Sequence, residues 1–273
     1  MKKLGFIGGG NMAEALAHGL IAHKVFKPAD LIASDVLAAR RSYLKRKLKI
    51  AVTADNLEVI KDARTILFAV KPQTIDGVLE SIAAALGPSP KRHLFISIAA
   101  GVPIARICKF LGPRARVIRV MPNAPAMVGE GMAALVRSRA ASTADERKTL
   151  RIFESVGDAV ALKDEQLLDA VTALSGSGPA YVYLFAKAMI DAAVSEGIAR
   201  PLAIRMTLKT IRGAETTMRS SGLDARDLIK VVASPGGTTV AALRRFAEAG
   251  FSDIVARAIH AAADRSRELG RAT

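Results

Sequence analysis

The stretch Leu4-Gly5-Phe6-Ile7-Gly8-Gly9-Gly10-Asn11-Met12-Ala13 decides the reading of the fold. Leu4 to Ile7 is a short apolar run bounded by glycines, the pattern of a buried strand. Asn11 to about His23 has helical spacing. Between them, Gly8 to Ala13 fits G-x-G-x-x-A. Gly8 permits a tight turn, Gly10 lets the helix N-terminus approach a pyrophosphate, and Ala13 keeps helix and strand close. The motif alone is a weak signal, and a glycine turn without a nucleotide is the bland alternative. Here it follows a strand, opens a helix, and is followed by an acidic residue, Asp35, at about the expected 20-residue distance. The stretch also resembles the start of a signal peptide, but its apolar run stops far short of the roughly 7–15 residues an h-region needs.

Outward from that turn, strands and helices alternate. Leu31–Ser34, Thr65–Val70, Leu94–Ile98 and Arg116–Met121 read as strands, with helical segments between them, which predicts βαβ units and a parallel sheet. The pattern changes after Val156–Leu162. From Glu165 onward only helical spacing remains, over Glu165–Leu174, Pro179–Glu196, Pro201–Arg219, Asp224–Val232, Thr239–Ala249 and Phe251–Leu269. The expected fold is α/β: a Rossmann-like doubly wound sheet in residues 1–162, then an all-α domain in residues 163–273.

Composition agrees with that plan. The chain has 273 residues, 51% of them apolar, 4% aromatic and no tryptophan, so Ala, Leu, Ile and Val must build the core. The single cysteine, Cys108, allows no intrachain disulfide and reads as a core filler, which favours a cytoplasmic protein. No apolar run reaches the roughly 18 residues of a membrane span. The formal charge of +15 would suit nucleic acid. The basic residues are dispersed, however, and no aromatics interleave with them to stack bases. The reading is therefore no nucleic acid, no membrane, and an anionic small molecule. One basic cluster stands out: Arg40, Arg41, Lys45, Arg46, Lys47 and Lys49. The four histidines, His18, His23, His93 and His260, have no ligand spacing, and no metal cluster is expected.

The end of the second strand should select between NADH and NADPH. Asp35 could accept from a free ribose 2′-hydroxyl, whereas Ser34, Arg40 and Arg41 could hold a 2′-phosphate. These signals conflict, and the cofactor is read as NADPH or NADH. Other strand ends should line the same crevice: Ala69-Val70-Lys71-Pro72, Ala99-Ala100-Gly101 and Met121-Pro122-Asn123.

A second glycine cluster, Ser234-Pro235-Gly236-Gly237-Thr238-Thr239, lies between two helical segments. As plain punctuation it breaks one helix and starts another. It also clears side chains from a helix N-terminus, whose free N–H groups and positive dipole end suit an anion. Paired with the first cluster, it reads as a carboxylate anchor, with Ser234 and Thr239 hydroxyls adding directed hydrogen bonds.

These segments together resemble the Δ1-pyrroline-5-carboxylate reductases. The resemblance rests on Gly5 to Ala15, Phe68 to Pro72, Arg119 to Pro125, Asp169 to Tyr181 and Ser234 to Thr239, in order along almost the whole chain. It implies reduction of a cyclic imine to L-proline by NADPH or NADH. It implies a helical domain that dimerises, with dimers joining into larger rings, and an active site between the nucleotide domain and the helical domains of the dimer. It places cofactor contacts on Ile7, Gly8, Gly9, Gly10, Asn11 and Met12, on Ser34, Asp35 and Asn56, on Ala69, Val70, Lys71 and Pro72, and on Ala99 and Ala100. Ser234, Gly236, Gly237, Thr238 and Thr239 fall on the substrate side, with Thr239 facing the imine nitrogen. Glu165 and Ser177 are further substrate-side candidates, each also readable as a helix cap or turn residue. The competing readings are another cyclic imine or β-hydroxyacid-type reductase, and a dinucleotide-binding regulator. Against the β-hydroxyacid reading, Ser175 to Pro179 takes the place of the required helix lysine, and Lys187 comes eight residues after the proline.

Overall fold

Strand β1 (Leu4–Ile7) is fully buried and lies inside the sheet, with β2 on one side and β4 on the other. The computed structural model describes residues 2–87 and 93–271. In chain order the elements are α1 (Asn11–Ala22), β2 (Leu31–Ser34), α2 (Ala38–Leu48), β3 (Ala51–Thr53), α3 (Asn56–Asp62), β4 (Thr65–Phe68), α4 (Ile75–Leu86), β5 (Leu94–Ser97), α5 (Ile104–Leu111) and β6 (Arg116–Met121). They continue as β7 (Gly131–Arg137), α6 (Thr143–Phe153), β8 (Gly157–Ala161), α7 (Leu167–Val171) and a π-helical turn (Thr172–Gly176). Five helices follow: α8 (Gly178–Ser195), α9 (Arg200–Ser221), α10 (Ala225–Val232), α11 (Thr238–Glu248) and α12 (Phe251–Arg271).

The sheet runs β3-β2-β1-β4-β5-β6-β7-β8. Its first six strands are parallel, and the reversal of order beside β1 is the doubly wound switch point. One face packs on α1, α2 and α6 through Leu16, Leu20, Leu44, Ile152 and Phe153. The other packs on α3, α4, α5 and α7 through Val59, Leu79, Ile82, Ile107 and Leu168. Strands covered on both faces read as continuous apolar runs, which is why β1, β4 and β5 were legible.

The strands expected from the sequence, β1, β2, β4, β5 and β6, do run parallel, and the sheet extends beyond them. β7 runs antiparallel to β6, and β8 pairs parallel to β7. β7 begins on a glycine and includes two alanines, β3 has only three residues, and β8 is Gly-Asp-Ala-Val-Ala, so none carries a strong strand signal. Gly131 and Gly157 face each other so closely that a Cβ on Gly157 would collide with the Gly131 carbonyl oxygen. The helix expected over Glu165–Leu174 is instead α7 followed by the π-helical turn.

The chain divides into two compact units, residues 1–177 with 261–273, and residues 178–260. In the second, only Ala186, Ala203 and Thr207 are buried, while Tyr183, Leu184, Phe185, Phe246 and Phe251 are exposed. Phe185, Phe246 and Phe251 cluster with ring centroids 5.2–6.4 Å apart. They line an apolar hollow of about 580 Å³ with Leu184, Met189 and Ile254.

Candidate active site

The first glycine turn forms where β1, β2 and β4 end together. The Ala69 N–H donates to Ile7 O at 2.8 Å and the Gly8 N–H to Ser34 O at 3.0 Å. Gly8 has φ +94°, and a Cβ there would lie 2.7 Å from Ala69 O, so both conformation and space require glycine. Gly10 is the N-cap of α1; no side chain caps it, and a Cβ on it would meet nothing within 4 Å. The turn thus presents uncapped N–H groups beside open space, a cradle of the kind a pyrophosphate occupies.

Asp35 fastens this turn. Its Oδ2 accepts from the Gly9 N–H and its Oδ1 from the Leu37 N–H, both at 2.9 Å. The Ser34 hydroxyl is wholly buried and donates to Asn56 Oδ1 at 2.6 Å, so Ser34 supports Asn56 from inside the fold. Arg40 donates to Gly9 O and pairs with Glu14, while Arg41 donates to the carbonyls of Asp35 and Val36. Glu14 also accepts from Tyr43 and Lys47. Burial pushes the Glu14 carboxyl up, but the hydrogen bonds from Lys47, Arg40 and Tyr43 outweigh this and hold it below the usual range. Nothing in the sequence singled out Glu14, because its partners lie 26 to 33 residues away.

The other cofactor-side candidates also sit at strand ends. Ala69 and Val70 are half-buried after β4, with Lys71 exposed and Pro72 opening a short 3₁₀ turn. Ala99 is buried and Ala100 half-buried after β5, where Gly101 takes φ +74° against Leu269 of α12. Ile7 is buried, whereas Asn11 is exposed and Met12 half-buried on the first turn of α1.

Glu165 and Ser177 belong to the sheet-containing unit. Glu165 Oε1 accepts from the Ile104 N–H at 2.8 Å, capping α5, and from Arg119 at 3.0 Å. Its carboxylate is therefore engaged within the fold. The Ser177 N–H donates to Thr172 O at 2.8 Å, closing the π-turn. Cys108 on α5 is half-buried; burial, and then the charge of Glu165, raises its thiol pKa, consistent with a core filler. Among the described residues no group of His, Cys, Asp and Glu is arranged to hold a metal ion.

The second glycine cluster repeats the local design in the helical unit. α10 ends at Val232, the Gly237 N–H donates to Ser234 O at 3.0 Å, and Gly236 takes φ +72°. A Cβ on Gly237 would lie 2.7 Å from Ser234 Oγ. Gly237 is the N-cap of α11 with no capping side chain, so Thr238 and Thr239 occupy the first two helical positions. Thr239 is half-buried, while Ser234 and Thr238 are exposed.

A family model described as pyrroline-5-carboxylate reductase dimerisation matches residues 165–269. A second, described as NADP oxidoreductase, coenzyme F420-dependent, matches residues 3–101. A pyrroline-5-carboxylate reductase of Synechocystis sp. is 40% identical over 269 residues, 98% of this chain and 98% of that protein. A solved pyrroline-5-carboxylate reductase from Coxiella burnetii matches with a TM-score of 0.91 and 32% identity, covering 98% of each chain. A Plasmodium falciparum pyrroline carboxylate reductase solved with NADP bound gives 0.88 and 32%, again over 98% of each. Likeness of sequence and fold extends over both units, and the chain belongs to the pyrroline-5-carboxylate reductase family of NAD(P)H-dependent oxidoreductases.

Proposed function

We propose that this chain reduces 1-pyrroline-5-carboxylate to L-proline with NAD(P)H. One observation carries the reading: each unit holds a glycine-cleared, uncapped helix N-terminus, Gly10 on α1 and Gly237 on α11. Two such ends suit two anions, the pyrophosphate of a dinucleotide and the carboxylate of a small imino acid.

When bound, the reduced nicotinamide supplies the hydride that goes to the imine carbon. The protein's part is placement. The Gly8–Met12 turn holds the pyrophosphate, with Asp35 and Arg40 keeping the turn in shape. Asn56, supported by Ser34, faces the ribose region together with Asp35. Residues 69–72 and 99–100 wall the crevice. At the other anchor, the N–H groups at the start of α11 and the Ser234 hydroxyl hold the substrate carboxylate. The Thr239 hydroxyl hydrogen-bonds to the imine nitrogen, which takes up a proton from solvent before or as the carbon gains the hydride. Holding the reactants in one orientation contributes rate at such a site. Ser177 belongs to the substrate side, whereas the structural engagement of Glu165 argues for support rather than contact.

The division of labour follows residues 1–162 for the cofactor and 163–273 for substrate and self-association, which the dimerisation match supports. An 83-residue helical unit with three buried residues needs its apolar face covered, and a second copy is the occupant we infer. Dimers then join into larger rings. No helix among the described residues is long and apolar enough to cross a membrane. A cytoplasmic setting suits the lone cysteine. The test is loss of reduced-nicotinamide absorbance that depends on pyrroline-5-carboxylate. Turnover only with a six-membered imine would redirect the reading to another cyclic imine reductase.

A further inference from the structure

Pro179 leaves a gap in the backbone hydrogen bonding at the head of α8. An α-helical carbonyl at Ser175 would accept from residue 179, but proline has no N–H to give. The π-turn before it widens the spiral, with the Ser177 N–H reaching back five residues to Thr172 O. A carbonyl left this way in a half-buried segment needs another donor. The structure provides one from a distant strand end: Asn123 Nδ2 donates to Ser175 O at 3.0 Å. The same amide's Oδ1 accepts from the Met132 N–H of β7 at 2.8 Å, so the side chain is held at both ends.

Asn123 does not act alone. Arg119, Met121 and Asn123 alternate along β6 and its extension, and all three meet the segment 165–177. Arg119 is buried and pairs with Glu165 at 3.0 Å. Met121 Cε lies 2.6 Å from the position a Cβ would take on Gly176. Leu168 and Val171 share a core cluster with Val117 and Met121. One face of a cofactor-side strand thus grips the segment at its beginning, along its length and at its end.

We propose that Asn123 is a positioning residue for the reduction: by supplying the donor that Pro179 lacks, it fixes the π-turn and therefore Ser177 in register with the strand ends that wall the cofactor crevice. The proposal rests on the reading of Ser177 as substrate-side. Loss of the amide lets the turn shift, and shifts of this kind at a reacting centre cost on the order of tenfold to a hundredfold in rate.

The experiment uses the full chain and follows Asn123→Ala, Asn123→Asp, Ser177→Ala and Pro179→Ala, together with Asn123→Ala in the Pro179→Ala background. Steady-state kinetics, thermal melts and backbone amide exchange of residues 172–178 are read for each. Asn123→Ala and Asn123→Asp are expected to lower kcat with pyrroline-5-carboxylate at least about tenfold, with KM for NADPH within about twofold. Exchange at Ser177 should accelerate. Relative to Pro179→Ala itself, the added loss from Asn123→Ala should be smaller than in the native background, because removing the proline ring restores a backbone N–H that can reach the Ser175 carbonyl. Unchanged exchange, a kcat loss that only follows the folded fraction, or an equal rise in KM for NADPH would overturn the proposal. If Ser177→Ala keeps full activity while the Asn123 variants lose it and exchange faster, the reading of Ser177 fails and the positioning role of Asn123 stands.

Discussion

At the scale of single residues, the proposed function asks each glycine turn to clear side chains as much as to supply them. Gly8→Ala would set a Cβ against Ala69 O in a left-handed conformation, so cofactor affinity should fall by at least about tenfold; titration with NADPH by fluorescence checks it. Thr239→Ala should lower kcat/KM for the imine about tenfold to a hundredfold, the scale of one hydrogen bond to a charged centre. KM for NADPH should stay nearly constant, and an equal loss in both would remove Thr239 from the substrate side. The Asp35 carboxylate fastens Gly9 and Leu37, and in the proposed site its charge would oppose a ribose 2′-phosphate. Asp35→Ser should therefore raise the NADPH/NADH ratio of kcat/KM while costing about 1 kcal/mol of stability from the lost loop fastening. An unchanged ratio would show that Asp35 does not read the ribose. The two glycine turns were legible because their backbone conformations are local, whereas the hydrogen bonds of Asn123 and Glu14 were not, because their partners come from distant segments.

At the scale of elements, Glu14 ties α1 to α2 by accepting from Arg40, Tyr43 and Lys47. Its carboxyl is held below its ordinary value of 4.5. The unfolded chain therefore takes up this proton at higher pH than the folded chain does. The stabilisation is fully present above the ordinary value and fades as pH falls through the lowered one. Glu14→Gln should flatten the acid limb of a Tm-against-pH curve, and an unaltered limb would assign the acid transition to other groups. Helices α4 and α8 to α12 were readable in place. The π-helical turn was not, since its widening depends on Pro179 and on a donor from Asn123, neither of which enters a count of apolar spacing.

At the scale of the whole molecule, the helical unit exposes an aromatic cluster, Phe185, Phe246 and Phe251, that water solvates poorly. Phe246→Asp should convert the assembly to smaller species in light scattering and reduce turnover with it; retention of both would move the self-association surface elsewhere. The sequence by itself determined the order of βαβ units, the glycine turn that opens them and the helical continuation, because each is written in local periodicity and in residues that only one backbone conformation accepts. Only the tertiary structure decided the antiparallel β7, the engagement of Glu165 with Arg119 and α5, the burial of Ser34 behind Asn56, and the grip of β6 on the π-turn. Each of these joins residues far apart in the chain, and such pairings follow from packing rather than from any local pattern.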